Sequence, residues 1–298
     1  MAQPALIGSI EAGGTKFVCA VGTGPDDYQE VRFATREPAE TLREAGDFFT
    51  TMGKDRGAIS ALGIGTFGPA DVDPKSATYG QIKNTPKPGW RGADLVGAIR
   101  EALGSNIPVV FDTDVNAAAW GERRWGAARG IDDFVYITVG TGIGGGVVSG
   151  GRLIHGAGHP EIGHLRIPHD VNSDPYPGSC PFHRDCLEGL TSGTSIANRW
   201  GQDPRELPAD HRAWEITAGY LADALANLSM TLAPSRFVLG GGVMDQSHLF
   251  PMIRKRFTMQ VAGYLELPPA DGMIVPPELG ERAGALGGIA MAADALTK

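Results

Sequence analysis

Short unbroken apolar runs, bounded by glycine or proline, alternate along the chain with longer stretches whose apolar residues recur every three to four positions. The runs predict buried strands at residues 6–10, 17–21, 61–65, 109–111, 134–139 and 237–239, with another starting at Val147-Val148. The periodic stretches predict helices at 38–52, where Leu42, Ala45, Phe49 and Met52 share a face, and at 93–103, 117–128, 215–232 and 283–295. Strand, glycine turn and strand occur at the start and again about 130 residues later, each time followed by further strand and helix. That repeat predicts a duplicated α/β unit: one lobe over 1–115, a second over 116–282, and a closing helix at 283–297 that packs back on the first.

The turns between these strands carry the first candidate chemistry. Gly13 and Gly14 sit between two apolar strands and lead into Thr15 and Lys16, and bare backbone N–H groups of such a turn can approach a phosphate closely. It is not a P-loop, because Gly14 stands where that motif needs lysine and a strand follows instead of a helix. Gly140-Thr141-Gly142-Ile143-Gly144-Gly145-Gly146 contains a formal G-x-G-x-x-G, yet a strand again follows, which excludes a Rossmann site. It reads as a second glycine turn, and Gly240-Gly241-Gly242-Val243 as a third, open to a flat ring or close packing. Two phosphate-holding turns facing one cleft suit a nucleoside triphosphate.

Asp114 follows the strand at 109–111 and precedes an alanine-rich helix, a position for an N-cap or a catalytic base. Thr66-Phe67-Gly68-Pro69 breaks off another strand end, where open α/β sheets place ligand contacts. Thr85-Pro86-Lys87-Pro88-Gly89-Trp90 reads as an irregular loop.

The stretch 155–188 holds two of the chain's three cysteines. Cys180, His183 and Cys186 recur at every third position, which is how a tight knuckle aims three ligands at one divalent ion. A closed Zn²⁺ site takes a fourth, and His155, His159, His164 and His169 all lie within reach in the sequence. Four protein ligands leave no open position for water, which argues against a zinc hydrolase.

Length adds that 298 residues exceed what one core usually organises, so two lobes around a cleft are expected. A net charge of −8 argues against nucleic-acid or anionic-membrane binding. The start of the chain lacks the features of a signal peptide, and no run is long enough to span a bilayer. With an odd cysteine count and a thiolate metal site, a reducing cytoplasm is the expected setting.

With these pieces in order, the chain resembles the ROK family (repressors, open reading frames and kinases) over nearly its whole length, within the actin-like ATPase fold, a duplicated ribonuclease H-like α/β architecture. Glu11-Ala12-Gly13-Gly14-Thr15-Lys16 is similar to the family's first phosphate motif, with glutamate in place of the usual aspartate. Gly140 to Gly146 is similar to the second, and Gly240 to Val243 to the adenosine motif. Asp114 falls on the catalytic aspartate, although Thr113 replaces the asparagine that normally precedes it. Glu161-Ile162-Gly163-His164 matches the sugar-and-zinc signature, and Cys186-Leu187-Glu188 its end. Cys180-Pro181-Phe182-His183 in place of the cysteine-rich form, with Glu11-Ala12 and the 85–90 loop, resembles the bacterial fructokinase branch.

The resemblance implies ATP-dependent phosphorylation of a hexose, D-fructose to fructose 6-phosphate, with glucose, mannose or an N-acetylhexosamine as alternative substrates. Asp114 would be the general base. Gly68, Pro69, Thr113, Glu161, His164 and Glu188 would hold the sugar. Gly13, Gly14, Thr15, Lys16, Gly140, Thr141, Gly142, Gly240, Gly241 and Gly242 would hold ATP, with Mg²⁺ near Glu11. His164, Cys180, His183 and Cys186 would bind zinc, His164 through one ring nitrogen, leaving the other for sugar. A homodimer is expected. A regulator of the same family would need a DNA-binding helix-turn-helix ahead of the first strand, for which a start by Leu6 leaves no room.

Overall fold

Six of the seven residues of β1 (Leu6–Ala12) are buried, Glu11 being the partial exception, so this strand needs cover on both faces. It is the centre of a five-stranded sheet ordered β3-β2-β1-β4-β5. The antiparallel strands β2 (Lys16–Gly24) and β3 (Asp27–Ala34) flank one side, and the parallel β4 (Ile59–Thr66) and β5 (Val109–Thr113) flank the other. These elements belong to a computed structural model that describes residues 5–85, 87–104 and 106–297. Met1 to Pro4, part of the expected amino-terminal reading, and Pro86 of the expected irregular loop lie outside the described residues.

The two faces of β1 meet different helices. Gly8 lies against Phe49 of α1 (Pro38–Arg56), and Ser9 against Gly288 of α9 (Ala283–Ala295). α2 (Leu95–Leu103) joins α1 over the first face, where Phe17, Leu42, Phe49, Leu95 and Ile99 form a shared core. On the second face the glycines and alanines of α9 let backbone touch backbone. A Cβ on Gly287 would lie 1.7 Å from the carbonyl oxygen of Ala117 in α3 (Asp114–Trp125), and one on Gly63 2.0 Å from that of Gly288.

The second sheet repeats the first. β6 (Phe134–Val139) is its centre, with antiparallel β7 (Ile143–Ser149) and β8 (Arg152–Leu153) on one side and parallel β9 (Arg236–Gly240) and β10 (Ile274–Val275) on the other. Its order, β10-β9-β6-β7-β8, is the first sheet's order with each strand replaced by its later counterpart. The short α4 (Leu187–Thr191) and α5 (Gly193–Trp200), the long α6 (Arg212–Leu232) and α7 (Leu249–Val261) belong to this half, and α8 (Ala270–Met273) leads into β10. Trp214, Leu221 and Ile253 close its core on Val135, Ile137 and Val139. The duplicated, actin-like α/β fold is therefore present.

The chain divides into two compact units: Met1–Arg129 with His155–His159 and Leu279–Lys298, and Gly130–Ile154 with Pro160–Glu278. The first extends past the expected boundary at 115 because α3 packs on α9, Gly121 having space for nothing larger beside Ala283. The expected metal loop 155–188 is also divided, its first five residues belonging to the first unit. Edge strand β3 escaped the hydrophobic pattern because charged and exposed positions run through it. Gly144, Gly145 and Gly146 are not turn residues: β7 already begins at Ile143 and pairs them with Thr138, Ile137 and Tyr136. Among the described residues, no helix is long and apolar enough to cross a membrane.

Candidate active site

The parallel strands of the first unit end level with one another, Ala12 paired with Thr66 and Thr66 with Thr113. The residues that follow are Gly13, Phe67 and Asp114, so three candidate motifs leave the carboxyl edge of one sheet side by side. Ligands of open α/β sheets bind outside this edge. The Phe67 N–H donates to the carbonyl of Ala12 at 2.8 Å, and Gly68 leads through a cis peptide into Pro69. Gly68 is in contact with the ring of His159, whose Cε1 would be 3.3 Å from an added Cβ.

At the third strand end the cap is Thr113, not Asp114: its Oγ1 accepts from the Asn116 N–H at 3.2 Å. Asp114 is the first residue inside α3, half-buried, with Oδ1 accepting from the N–H of Val115 at 2.8 Å. Thr113 is buried and its hydroxyl is engaged by the helix. Asp112 is buried as well, and the sequence reading passed over it. Its Oδ1 accepts from the Thr113 N–H and from Nδ2 of Asn116, each at 2.7 Å, and its Oδ2 lies 2.7 Å from Nε2 of His155. That bond raises the His155 pKa above the ordinary histidine value, against the opposing effect of burial. Residues 112–116 are thus tied together around the one carboxylate that starts the helix.

The turn after β1 is closed by the Gly13 N–H donating to the carbonyl of Lys16 at 2.9 Å, and Thr35 Oγ1 donates to the carbonyl of Gly13 at 2.6 Å. Gly13 has no room for a side chain, since a Cβ would fall 2.7 Å from the Lys16 oxygen, whereas one on Gly14 would meet nothing within 4 Å. Thr15 and Lys16 are exposed at the tip. Glu11 reaches the start of α9, where its Oε2 would be 2.5 Å from a Cβ on Gly284 and has no hydrogen-bond partner. Burial raises its pKa, and the charges of Lys16 and Arg32 oppose that rise. A cation would relieve this sealed carboxylate, so the donor is compatible with Mg²⁺.

In the second unit, Gly140–Gly142 follows β6 and Gly240–Gly242 ends β9, its parallel neighbour. Gly241 adopts φ +89°, and an added Cβ there would lie 2.6 Å from backbone atoms of Val139, so both conformation and space demand glycine. The Gly193 N–H at the start of α5 donates to the carbonyl of Gly140 at 2.7 Å, and Thr194 Oγ1 to that of Thr141 at 2.7 Å. Glu188 reaches the same turn: its Oε2 accepts from the Ile143 N–H at 2.9 Å and lies 2.7 Å from where a Cβ on Gly142 would be. Two of the glycine turns therefore lie together, and an expected sugar residue supports one of them.

His164, Cys180, His183 and Cys186 bring one ligand atom each to within 4.8 Å of one another. The Cys180 Sγ lies 3.7 Å from Nδ1 of His164 and 3.8 Å from Nδ1 of His183, and Cys186 Sγ lies 3.6 Å from His164 Nδ1. A tetrahedron with Zn–S of about 2.3 Å and Zn–N of about 2.0 Å has S···N edges of about 3.6 Å, so spacing and donor set both suit Zn²⁺. The knuckle is built by Arg184, left-handed at φ 58°, whose N–H donates to the Cys180 carbonyl at 2.9 Å, while the His183 N–H points at Cys180 Sγ at 3.4 Å. Burial pushes the Cys186 thiol up to about 11, so a neighbouring cation is needed to make it a thiolate at neutral pH. The other candidate histidines have different partners. His155 is on Asp112, His159 against Gly68, and His169 between Asp185 Oδ2 at 3.3 Å and the carbonyl of Asp174 at 2.9 Å. Glu161 stands exposed at the head of the 3₁₀ turn Ile162–His164, which packs so closely on β7 that a Cβ on Gly145 would lie 2.6 Å from Ile162.

The family model for ROK, described as "ROK family", matches residues 7–295. The chain belongs to the ROK family. Among its relatives is a fructokinase of Pediococcus pentosaceus, 42% identical over 98% of this chain and 99% of that one. Among solved structures it is similar to the ROK hexokinase of Thermus thermophilus, at TM-score 0.81 and 28% identity over 98% of this chain and 99% of that one. It is also similar to a ROK glucokinase of Streptomyces griseus in complex with glucose and AMPPNP, at TM-score 0.74 and 28% identity over 97% and 100%. This ROK chain is an ATP-dependent sugar kinase. Asp112 and Asn116 stand in the motif itself, where a carboxylate and an amide beside the base were the available signal; nothing in the sequence pointed from either to His155.

Proposed function

We propose that the chain transfers the γ-phosphoryl group of ATP to the terminal hydroxyl of D-fructose, with Asp114 as general base. The observation that carries the reaction is that Asp114 opens α3 at the carboxyl end of β5, level with the strand ends that lead into Gly13 and Phe67, where open α/β sheets bind their ligands. In phosphoryl transfer the protein chiefly positions reactants and balances charge, so one base with phosphate-holding backbone is sufficient equipment. Asp114 would take the proton from the attacking hydroxyl. Glu161, His164 and Glu188 would hold the remaining hydroxyls together with Gly68 and Pro69, while Thr113 would act from behind by fixing Asp114. Gly13, Gly14, Thr15 and Lys16, with the Gly140–Gly142 and Gly240–Gly242 turns, would hold ATP. Mg²⁺ would accompany the nucleotide near Glu11, neutralising phosphate charge when bound.

Zn²⁺ on His164, Cys180, His183 and Cys186 would serve structure. Bound through Nδ1, His164 keeps Nε2 for a sugar hydroxyl. The reduced cysteines such a site needs agree with a reducing cytoplasm, and the homodimer expectation rests on the resemblance to the family. Fructose is preferred in this reading because the 42% identical relative is a fructokinase, whereas the glucokinase with bound glucose is 28% identical. Offering fructose and glucose together with ATP and identifying the sugar phosphates tests the choice. Fructose 6-phosphate should dominate, and a product mixture led by glucose 6-phosphate overturns it.

The glycine turns give a graded test. Gly14→Val should leave the melting temperature unchanged, because its Cβ meets nothing in the protein, yet should raise the ATP KM about tenfold with little change for sugar. Gly142→Val should damage both sides, because it displaces Glu188 as well. An unchanged ATP KM in a well-folded Gly14→Val protein contradicts the phosphate assignment.

A further inference from the structure

The segment His155–His159 belongs to the first unit although the chain on either side of it belongs to the second. Its middle residues, Gly156, Ala157 and Gly158, are exposed, and a Cβ on either glycine would meet nothing within 4 Å. Its two ends carry histidines, each seated on a strand-end turn of the first unit. The His159 ring lies on Gly68, and His155 Nε2 lies 2.7 Å from the buried Oδ2 of Asp112. The second seat matters for the chemistry. Asp112 uses its other oxygen to hold the Thr113 N–H and the Asn116 amide, and Thr113 caps the helix that Asp114 begins.

We infer that His155 is a positioning residue of the kinase reaction, holding Asp112 and through it the orientation of the Asp114 carboxylate. Asp112 raises the His155 pKa through this bond, against the opposing effect of burial. The bond joins a ring nitrogen to a buried carboxylate oxygen, and its loss leaves that acceptor unsatisfied. The inference rests on Asp114 as the base.

The test is steady-state kinetics with ATP and fructose on His155→Phe and His155→Gln in the full-length protein, each also combined with Asp112→Asn. His155→Phe removes the donor and should lower kcat about tenfold, with both KM values within about twofold of wild type. His155→Gln keeps a neutral donor and should recover turnover to within about threefold. In the Asp112→Asn background, His155→Phe should have little further effect, because the pair acts as one unit. Should His155→Phe fail to fold, His155→Asn, too short to reach Asp112, should show the same tenfold loss. Normal turnover in the donor-less variant, a glutamine variant as impaired as phenylalanine, or a tenfold rise in sugar KM at unchanged kcat overturns the inference, the last by making His155 a direct sugar ligand. Asp114→Asn separates the two claims. If it stays active, the base assignment falls; if it is inactive while His155→Phe turns over normally, only the positioning role falls.

Discussion

Asp114→Asn should fold, bind ATP and fructose nearly as tightly as wild type, and turn over at least roughly 10²-fold more slowly, the usual scale for loss of a general base. Two local hydrogen bonds survive the substitution. Asparagine keeps an oxygen for the Val115 N–H, which Asp114 Oδ1 accepts at 2.8 Å, and the helix cap rests on Thr113 and is untouched. What is lost is the basic carboxylate. A variant that binds both substrates, melts at the wild-type temperature and keeps more than about a tenth of wild-type kcat contradicts the role. Thr113→Ala offers a contrast, because removing the cap should cost stability of about 1 kcal/mol before it affects chemistry.

Removal of zinc should raise the fructose KM at least about tenfold and lower turnover, while ATP binding measured without sugar persists. The metal would join the 3₁₀ turn carrying His164 to the knuckle of Cys180, His183 and Cys186, and Leu187, next to Cys186, already donates its N–H to Leu165 at 3.0 Å. Without the ion, two buried thiols and two imidazoles are left with no shared partner, and the Glu161–His164 segment loses its anchor. Cys180→Ser should behave like the stripped protein, because a hydroxyl is a poor replacement for a thiolate. Some effect on Glu188 is expected too, since Cys186 occupies the N-cap position of α4, which carries it. Metal content measured alongside the kinetics decides the matter. A purified protein with no zinc, or full fructose turnover after verified removal, contradicts a structural zinc.

The duplicated sheet was legible because apolar runs punctuated by glycine turns recur in the same order, and β1 and β6 lie at the same place in their sheets. The thiolate knuckle was legible from spacing alone. Spacing left the fourth ligand open among four histidines; the resemblance to the family named His164, and the fold sends His155 to Asp112 and His169 to Asp185. Thr113 and Asp114 are adjacent and both can cap a helix, so sequence could not assign the cap between them. Gly144–Gly146 looked like part of a turn, yet the glycine at 145 is there to let Ile162 pack on the strand. Composition reports that a side chain is missing, not which neighbour needs the space.

Competition between hexoses tests the central claim most directly. Purified protein is given equal concentrations of D-fructose and D-glucose, both below their KM, with MgATP, and the sugar phosphates are quantified early in the reaction, so that their ratio equals the ratio of the two kcat/KM values. A fructose 6-phosphate excess of about tenfold or more, about 1.4 kcal/mol of discrimination, is the predicted result. Glucose 6-phosphate at equal or greater abundance, or ATP consumed without any sugar phosphate, would contradict it.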